Sequence, residues 1–223
     1  MTNPAKLIPT VIDVLRGRVC IARPRPLATG AMTLADTDAD ADAVLLRRYV
    51  AGDAAASRLL ANRLLPRIYA HAARVLGDRA EAEDVAQDAM MRLWRIAPDW
   101  RMGEARVTTW LYRVVANLCT DRLRKRMTTP LDDVAEPADP APSAATQMQQ
   151  SARVDALQAA LQILPDRQRQ AVVLRHIEGM ANPEIAAILE VGVEAVESLT
   201  ARGKRALTAA LADQRDALGY EGE

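Results

Sequence analysis

The chain has 223 residues, and its 29 basic and 29 acidic side chains give a formal net charge of zero at pH 7. This length allows one large or two small domains, and no run of about 18 apolar residues could span a membrane. Two cysteines in different contexts predict neither a disulfide framework nor a metal site, so we expect no metal and no cofactor. His71 and His176 are isolated, and each is expected to be half-buried or exposed on a helix.

Residues 1–38 form a basic segment interrupted by Pro24 and Pro26, for which we expect no stable fold. A short apolar stretch near the start is faintly similar to a signal peptide, but Asp13 and Arg16 interrupt it. We therefore predict a disordered N-terminal extension on a cytoplasmic protein.

Residues 39–127 carry a helical period with no convincing strand-like alternation, which predicts an all-α domain. Helical pattern starts near Asp40 and restarts at Asp53, a good N-cap residue, in a helix that Pro66 would kink or split. Asp78 and Glu81 have capping-box spacing at the start of the next helix. That helix buries a stripe that includes Val85, Ala89, Leu93 and Trp94, and the helix from about Thr108 buries Trp110, Leu111, Val114, Val115 and Leu118.

Charge is distributed unevenly along this domain. The interval from Asp78 to Asp88 is mostly acidic, whereas the interval from Trp100 to Met127 carries seven basic and only two acidic side chains. This separation is typical of a protein that contacts another protein on one side and nucleic acid phosphates on the other.

Residues 128–150 contain four prolines and four acidic residues but no basic residue, which predicts a flexible acidic linker. Helical pattern returns over 151–212, before a short tail of residues 213–223. Within it, Asn182 is a candidate N-cap with Pro183 at the first helical position, and a turn over 190–193 separates two apolar helical stripes. This second domain is therefore predicted to contain a helix-turn-helix, the geometry that places a helix in the major groove of DNA.

Four stretches together resemble the extracytoplasmic-function (ECF) group of bacterial RNA polymerase sigma factors. The first two are 82–88 (AEDVAQD) with 92–94 (RLW), and 109–117 (TWLYRVVAN) with 121–124 (DRLR). The others are 164–169 (LPDRQR) with 173–175 (VLR) and 178–179 (EG), and the helix-turn-helix itself. They occur in the family's order and cover nearly all of the chain from residue 40 to 211.

The resemblance implies an alternative sigma factor without catalytic activity, which binds core RNA polymerase through the β′ clamp and the β subunit and directs transcription initiation. It implies polymerase-binding residues Asp84, Gln87, Asp88 and Arg92. It also implies DNA-binding residues Arg113, Asn117, Asp121, Arg122 and Arg124 for the −10 promoter element, and Glu197, Ser198, Arg202, Lys204 and Arg205 for the −35 element. An anti-sigma protein is an expected partner.

Two positions depart from the family pattern. Glu190 stands where the family usually has glycine in the turn, with Gly192 two residues later, so the turn is expected to be reshaped. Glu197 occupies a recognition-helix position that is often basic; a carboxylate there would accept a hydrogen bond from a cytosine amino group instead of binding phosphate.

Two other classes of function remain open from the sequence. A free-standing helix-turn-helix regulator would explain the C-terminal half, but it assigns no role to the helix from Asp84 to Trp94 or to the basic cluster after Asn117. A helical enzyme or adaptor is the third class; the sequence offers no nucleophile with a base, no paired carboxylates in a pocket-like context and no glycine-rich phosphate loop.

Overall fold

The computed structural model of the chain describes residues 34–101, 105–128 and 145–212. Every regular element in those ranges is helical, which confirms the predicted all-α fold. The helices are α1 (Leu34–Val50), α2 (Ala54–Leu76), α3 (Arg79–Ile96), α4 (Val107–Thr128), α5 (Ala145–Ile163), α6 (Asp166–Val172), α7 (Asn182–Leu189) and α8 (Val193–Leu211). A 3-10 turn (Ala97–Asp99) follows α3, and a π-helical turn (Val173–Ile177) extends α6. Of the helices in these ranges, none has the length and apolar character needed to cross a membrane.

Two helices begin earlier than the sequence analysis predicted. Helix α1 starts at Leu34 instead of near Asp40, and α5 starts at Ala145 instead of near Ser151. Both added segments lack proline and glycine, and the segment from Ala145 contains alanine, glutamine and methionine, which favour helix. The rest of the predicted extension and linker, and the predicted tail 213–223, lie outside the described residues.

Helix α2 shows one local prediction confirmed and one corrected. Asp53 caps the helix as predicted, since its Oδ1 accepts the backbone N–H groups of Ala55 at 2.9 Å and Ala56 at 3.2 Å. A hydrogen bond from Arg48, together with these backbone bonds, holds the pKa of Asp53 below its usual value. Pro66 lies inside a continuous helix, so it does not split it, and the alternative of a kink stays a prediction. Proline leaves the carbonyl of Asn62 without its helical donor, and Asn62 is exposed to water.

The described residues group into two compact units by Cα proximity. The first takes the described residues up to Ala70 together with Ala80–Val115. Its core is built from α1 to α4 and includes Leu46, Leu60, Leu64, Leu65, Ile68, Val85, Met90, Leu93 and Leu111. Trp94 is half-buried instead of fully buried, and its ring lies 4.7 Å from that of Tyr49. Trp110, which was expected in the core, is half-buried too.

The second unit takes His71–Arg79 and the described residues from Ala116 onward. Leu161, Leu164, Val172 and Val173 form its C-terminal core, with Ile177 and Leu207 packed against them. Helix α8 approaches α6 closely at Gly203. A Cβ added there would lie only 2.5 Å from Cγ2 of Val172, so a larger residue would not fit without a shift. The predicted domain ranges 39–127 and 151–212 stay a prediction. The two compact units divide the chain differently, because the ends of α2 and α4 belong to the same unit as the C-terminal helices.

His71 corrects the expectation of a half-buried or exposed histidine, because it is fully buried near the end of α2. Burial, with a smaller contribution from the charge of Arg74, lowers the pKa of His71 to about 3. The imidazole is therefore neutral in the folded protein at neutral pH.

We expect this buried imidazole to make the protein acid-sensitive. Its folded pKa lies below the unfolded value of about 6.5, so the unfolded chain binds the proton first. The contribution of His71 to the free energy of unfolding is constant above about pH 6.5. Below that pH it decreases by roughly 1.4 kcal/mol per pH unit, until the pH approaches the folded pKa. Urea unfolding near pH 7.5 and near pH 5 should show that wild type loses about 2 kcal/mol more than His71→Leu. Parallel pH profiles for the two proteins would contradict the assignment.

Candidate functional site

The outer face of α3 is polar and charged. Asp84, Asp88 and Arg92 follow one another at four-residue intervals and are exposed, while Gln87 beside them is half-buried. The opposite face of the helix carries Val85, Ala89 and Leu93, all buried. The helix therefore presents its acidic face to solvent.

Met91 adds an apolar side chain to this acidic face, and this residue was not expected there from the sequence. It lies three residues after Asp88 and seven after Asp84, so it shares their side of the helix. Its side chain is 45% exposed, unusual for a methionine. An apolar centre with charged residues around it is the usual composition of a protein-protein interface. The signal in the sequence was an apolar residue out of phase with the buried stripe.

The outer face of α4 carries the predicted DNA-binding residues. Asn117, Asp121 and Arg124 are exposed at spacings of four and three residues, whereas Arg113 and Arg122 are half-buried. Ala116, Cys119 and Leu123 are buried on the other side. The helix thus places an amide, a carboxylate and a guanidinium in one row on the surface.

Part of this row borders a cleft of about 320 Å³. Its lining residues come from α4, α6 and α7: Ala116, Asn117, Thr120, Asp121, Arg124, Arg167, Gln170 and Leu189. Gln170 Nε2 donates to Thr120 Oγ1 at 3.0 Å, which joins α6 to α4. Arg167 and Gln170 were not expected at this cleft, because neither residue lies near Asn117 in the sequence.

Two tryptophans lie before and within the first turn of α4. The rings of Trp100 and Trp110 meet edge to face, with centroids 6.0 Å apart and an interplanar angle of 86°. Such edge-to-face pairs are favourable because the positive ring edge faces the negative ring face. The pair ties the chain before α4 to the start of the helix that carries Asn117.

The helix-turn-helix forms as predicted, with a different cap. Helix α7 begins at Asn182, so its N-cap is Ala181 instead of Asn182. The carboxylate of Glu184 accepts the backbone N–H of Ala181 at 3.0 Å, which supplies the reciprocal half of a capping box. The Asn182 amide, released from the cap role, donates to Glu197 Oε1 of α8 at 3.4 Å.

The turn between α7 and α8 keeps a left-handed residue although it lacks the usual glycine. Glu190 adopts φ 55° and ψ 48° at the end of α7, and among the described non-glycine residues it alone has positive φ. Gly192 has φ −71°, so it does not substitute for the missing glycine. The turn therefore places a glutamate side chain in a backbone region that is unfavourable for L-residues.

We expect Glu190→Gly to stabilise the protein by about 0.5–1 kcal/mol. Left-handed backbone costs an L-residue roughly 1–2 kcal/mol, and the greater freedom of glycine in the unfolded chain offsets part of that gain. The matched control is Ala195→Gly on exposed, right-handed helix, which should instead cost about 1 kcal/mol. Urea denaturation measures both, and equal destabilisation by the two substitutions would contradict a strained turn.

Helix α8 presents its predicted contact residues on two adjacent strips. Ser198, Arg202 and Arg205 fall on one strip at spacings of four and three residues; the two arginines are exposed and Ser198 is half-buried. Glu197 and Lys204, seven residues apart, occupy the neighbouring strip and are also exposed. Val196 and Gly203 are buried on the reverse side. The basic side of the helix is therefore its outward side.

Comparison with known protein families gives two matches in the order of the predicted domains. Residues 60–129 match the model of Sigma-70 region 2, and residues 155–207 match that of Sigma-70 region 4. The first interval contains the exposed faces of α3 and α4, and the second contains the helix-turn-helix.

Individual relatives agree with the family matches. The ECF RNA polymerase sigma factor SigM of Mycobacterium tuberculosis is 36% identical over 169 residues, which cover 74% of this chain and 82% of SigM. RNA polymerase sigma-H factor of Pseudomonas aeruginosa is 31% identical over 181 residues, covering 76% and 93%. Among solved structures, CnrH in complex with the cytosolic domain of CnrY aligns with a TM-score of 0.58 at 28% identity, covering 78% of this chain and 99% of CnrH.

Proposed function

The chain belongs to the ECF group of bacterial RNA polymerase sigma factors, and from this premise we propose which surfaces carry each part of its function. It is an alternative sigma factor that binds core RNA polymerase and directs promoter recognition and transcription initiation. The observation that supports the proposal best is the separation of three outward faces: an acidic face on α3, an amide and guanidinium row on α4, and a basic strip on α8.

The α3 face binds core polymerase. Asp84, Gln87 and Asp88 accept charge-assisted hydrogen bonds from basic residues of the β′ clamp, and Arg92 extends the charged row by one turn. Met91 makes an apolar contact at the centre of the α3 face. The β subunit is a further contact of the same holoenzyme.

The α4 row binds the −10 element as the strands separate. An unstacked base needs hydrogen-bonding groups and apolar walls, and its phosphates need cations. Asn117 and Asp121 supply the polar groups, and Arg113, Arg122 and Arg124 supply the charge.

The α8 strip binds the −35 element in the major groove. Arg202 and Arg205 donate to guanine or to phosphate, and Ser198 adds a short hydrogen-bonding group between them. Lys204 contacts phosphate from the neighbouring strip, where Glu197 accepts from a cytosine amino group.

The protein has no catalytic activity of its own in this proposal and acts in the cytoplasm, with the polymerase. An anti-sigma protein restrains it. The family resemblance implies that partner. Among structural relatives, CnrH was solved with the cytosolic domain of CnrY, and the sigma factor RpoE of Bartonella quintana with the anti-sigma factor NepR. The second relative is 24% identical with a TM-score of 0.53.

Reconstituted transcription tests the proposal against a free-standing helix-turn-helix regulator. Purified chain added to core polymerase and a library of genomic promoter fragments should yield specific initiation products, because a sigma factor supplies promoter recognition itself. A regulator would change transcription only with a holoenzyme already able to initiate. Products that appear only with a second sigma factor would favour the regulator.

We expect separate substitutions to separate the two promoter contacts. Arg202→Ala removes a major-groove donor and should lower affinity by about 1–3 kcal/mol while relaxing preference at one −35 base pair, if the contact is to guanine. Asn117→Ala should leave binding to a −35-only duplex unchanged and reduce strand opening at the −10 element. Binding and permanganate reactivity on promoters with either element scrambled measure the two effects.

The control for lost charge is Arg67→Ala, which removes an exposed arginine of α2 outside the proposed contacts. It should leave both promoter measurements unchanged. If Arg202→Ala and Asn117→Ala produced one shared, element-independent defect, a single DNA-binding surface would replace the two-site proposal.

A further inference from the structure

Glu194 lies at the centre of the outward side of α8. It is exposed in the first turn of the helix, and the buried Gly203 follows nine residues later. Because successive residues are about 100° apart around a helix, this spacing places Glu194 directly opposite Gly203. Ser198 and Arg205 fall within about 40° of Glu194 on the same side. Glu194 therefore begins the strip of contact residues on α8, although it was not expected there from the sequence.

The outward side of α8 changes charge along its length. Residues 177–201 contain five glutamates and no lysine or arginine, whereas residues 202–205 contain three basic side chains. In a helix-turn-helix, the N-terminal residues of the second helix contact the base edges. Glu194 and Glu197 therefore occupy the end of α8 that approaches the bases.

A carboxylate at this end of the helix is selective for the base that it contacts. Carboxylates accept hydrogen bonds but do not donate them. In the major groove, cytosine presents an amino group and no acceptor, whereas guanine presents two acceptors and no donor. Recognition-helix side chains three or four residues apart can contact successive bases. Glu194 and Glu197, three residues apart, therefore match cytosines at neighbouring base pairs.

Asn182 of α7 restrains the side chain of Glu197. Asn182 Nδ2 donates to Glu197 Oε1 at 3.4 Å, whereas Asn182 Oδ1 is buried without a hydrogen-bond partner in the part of the chain that the structure describes. The amide thus directs its donor to Glu197 while its acceptor is left without a bond, which is unusual for a buried polar atom. A carboxylate has two acceptor oxygens, so Oε2 of Glu197 remains for a base.

We propose that Glu194 and Glu197 each accept a hydrogen bond from a cytosine at two neighbouring base pairs of the −35 element, with Asn182 as the positioning residue of Glu197. The inference rests on the proposed role of α8 and specifies which bases that helix selects. The two carboxylates act largely by exclusion, because the major-groove acceptors of guanine and thymine repel them.

The test measures base preference with the full chain, alone and in complex with core polymerase. Selection from a randomised duplex library identifies the preferred sequence, and fluorescence titration of single-base variants gives the affinities. Glu194→Gln and Glu197→Gln replace a carboxylate with an amide, which matches adenine instead of cytosine. Asn182→Ala removes the positioning bond. Asp155→Asn is the matched control, because it makes the same carboxylate-to-amide change at an exposed residue of α5.

Wild type and Asp155→Asn should select one sequence with cytosine at two neighbouring base pairs. Replacing either cytosine with thymine should lower affinity roughly 5- to 100-fold. Glu194→Gln should exchange cytosine for adenine at one of the two pairs, and Glu197→Gln at the other. Asn182→Ala should reduce discrimination only at the pair contacted by Glu197. It should add no further loss to Glu197→Gln, as a double-mutant cycle requires for coupled residues.

A merely structural role of Glu194 gives a different result. A carboxylate in the first turn also stabilises a helix through its dipole, and that effect is the same for every DNA sequence. A uniform change in affinity with unaltered base preference would therefore overturn the inference. A preferred sequence without neighbouring cytosines would overturn it too, while the role of α8 would stand. If wild type preferred no sequence even with core polymerase, the proposed role of α8 would fail and this inference with it.

Discussion

Replacing Arg169 with leucine is expected to lower the free energy of unfolding by about 3–5 kcal/mol, because each buried carbonyl that loses its donor costs roughly 1–3 kcal/mol and some of these carbonyls keep other donors. Arg169 is only 5% exposed. It donates to the carbonyls of Val75, Leu161, Gln162 and Leu164, at 2.6, 2.8, 3.0 and 3.0 Å. Leucine would fill much of the space but leave four carbonyls without this donor.

Arg169 stays protonated although it is buried. Burial lowers the pKa of its guanidinium and nearby Asp166 raises it, yet an arginine remains protonated in proteins. The planar group joins the corner between α5 and α6 to the end of α2, and its fixed fork of five donors suits several acceptors at once.

Two further substitutions test whether the loss of stability comes from the carbonyl contacts of Arg169. Arg169→Lys keeps the charge but offers three donors from one point. Its free energy of unfolding should therefore fall between those of wild type and Arg169→Leu. Arg167→Leu, on the exposed side of the same helix, should change stability by about 0.5 kcal/mol or less. Thermal and urea unfolding measure all three. Equal effects of leucine at positions 167 and 169 would show that the carbonyl network contributes little.

Local signals in the sequence predicted the elements of this fold well. Asp53 before an alanine-rich run predicted a cap, and the apolar period predicted the buried side of α3 and α8. These features depend on residues within one or two turns of each other, where backbone hydrogen bonding and side-chain spacing are decided. Where two neighbours compete for one role, the result can shift by a residue, as at Ala181 and Asn182.

Contacts between distant segments were not predictable in this way. Gln158 donates to the carbonyls of Ala73 and Arg74 at the end of α2, and Gln162 donates to that of Arg74. Nothing in the sequence near either glutamine indicates this, because the acceptors are carbonyls with no side-chain signature. The burial of His71 has the same origin: a polar residue on a helix is expected outside until a second surface covers it. Glu190 shows a different case, in which the local hydrogen bonding at the end of α7, with Val191 N donating to Ala186 O at 3.1 Å, accompanies a left-handed conformation that the residue itself disfavours.

Charge reversal at both Asp84 and Asp88 is expected to weaken binding to core polymerase by at least about 100-fold. Close charge pairs at interfaces show coupling energies of roughly 1.5–7 kcal/mol each, and about 1.4 kcal/mol corresponds to tenfold in affinity. Substitution by arginine replaces attraction to a basic partner with repulsion at both positions. Both residues are exposed on α3, so stability should change by only about 0.5 kcal/mol. Fluorescence titration of labelled chain with core polymerase measures the affinity.

Position on the helix, and not charge alone, should determine this effect. Glu83→Arg makes the same change at an exposed residue one position away, about 100° around α3 from Asp84 and at the edge of the proposed face. It should weaken binding far less than Asp84→Arg alone. Met91→Ala should also weaken binding, with little dependence on salt, whereas the effect of the aspartate reversals should diminish as salt screens the charges. Equal losses from Glu83→Arg and Asp84→Arg would mean that the polymerase responds to net charge of the region, and the assignment of a specific α3 face would fail.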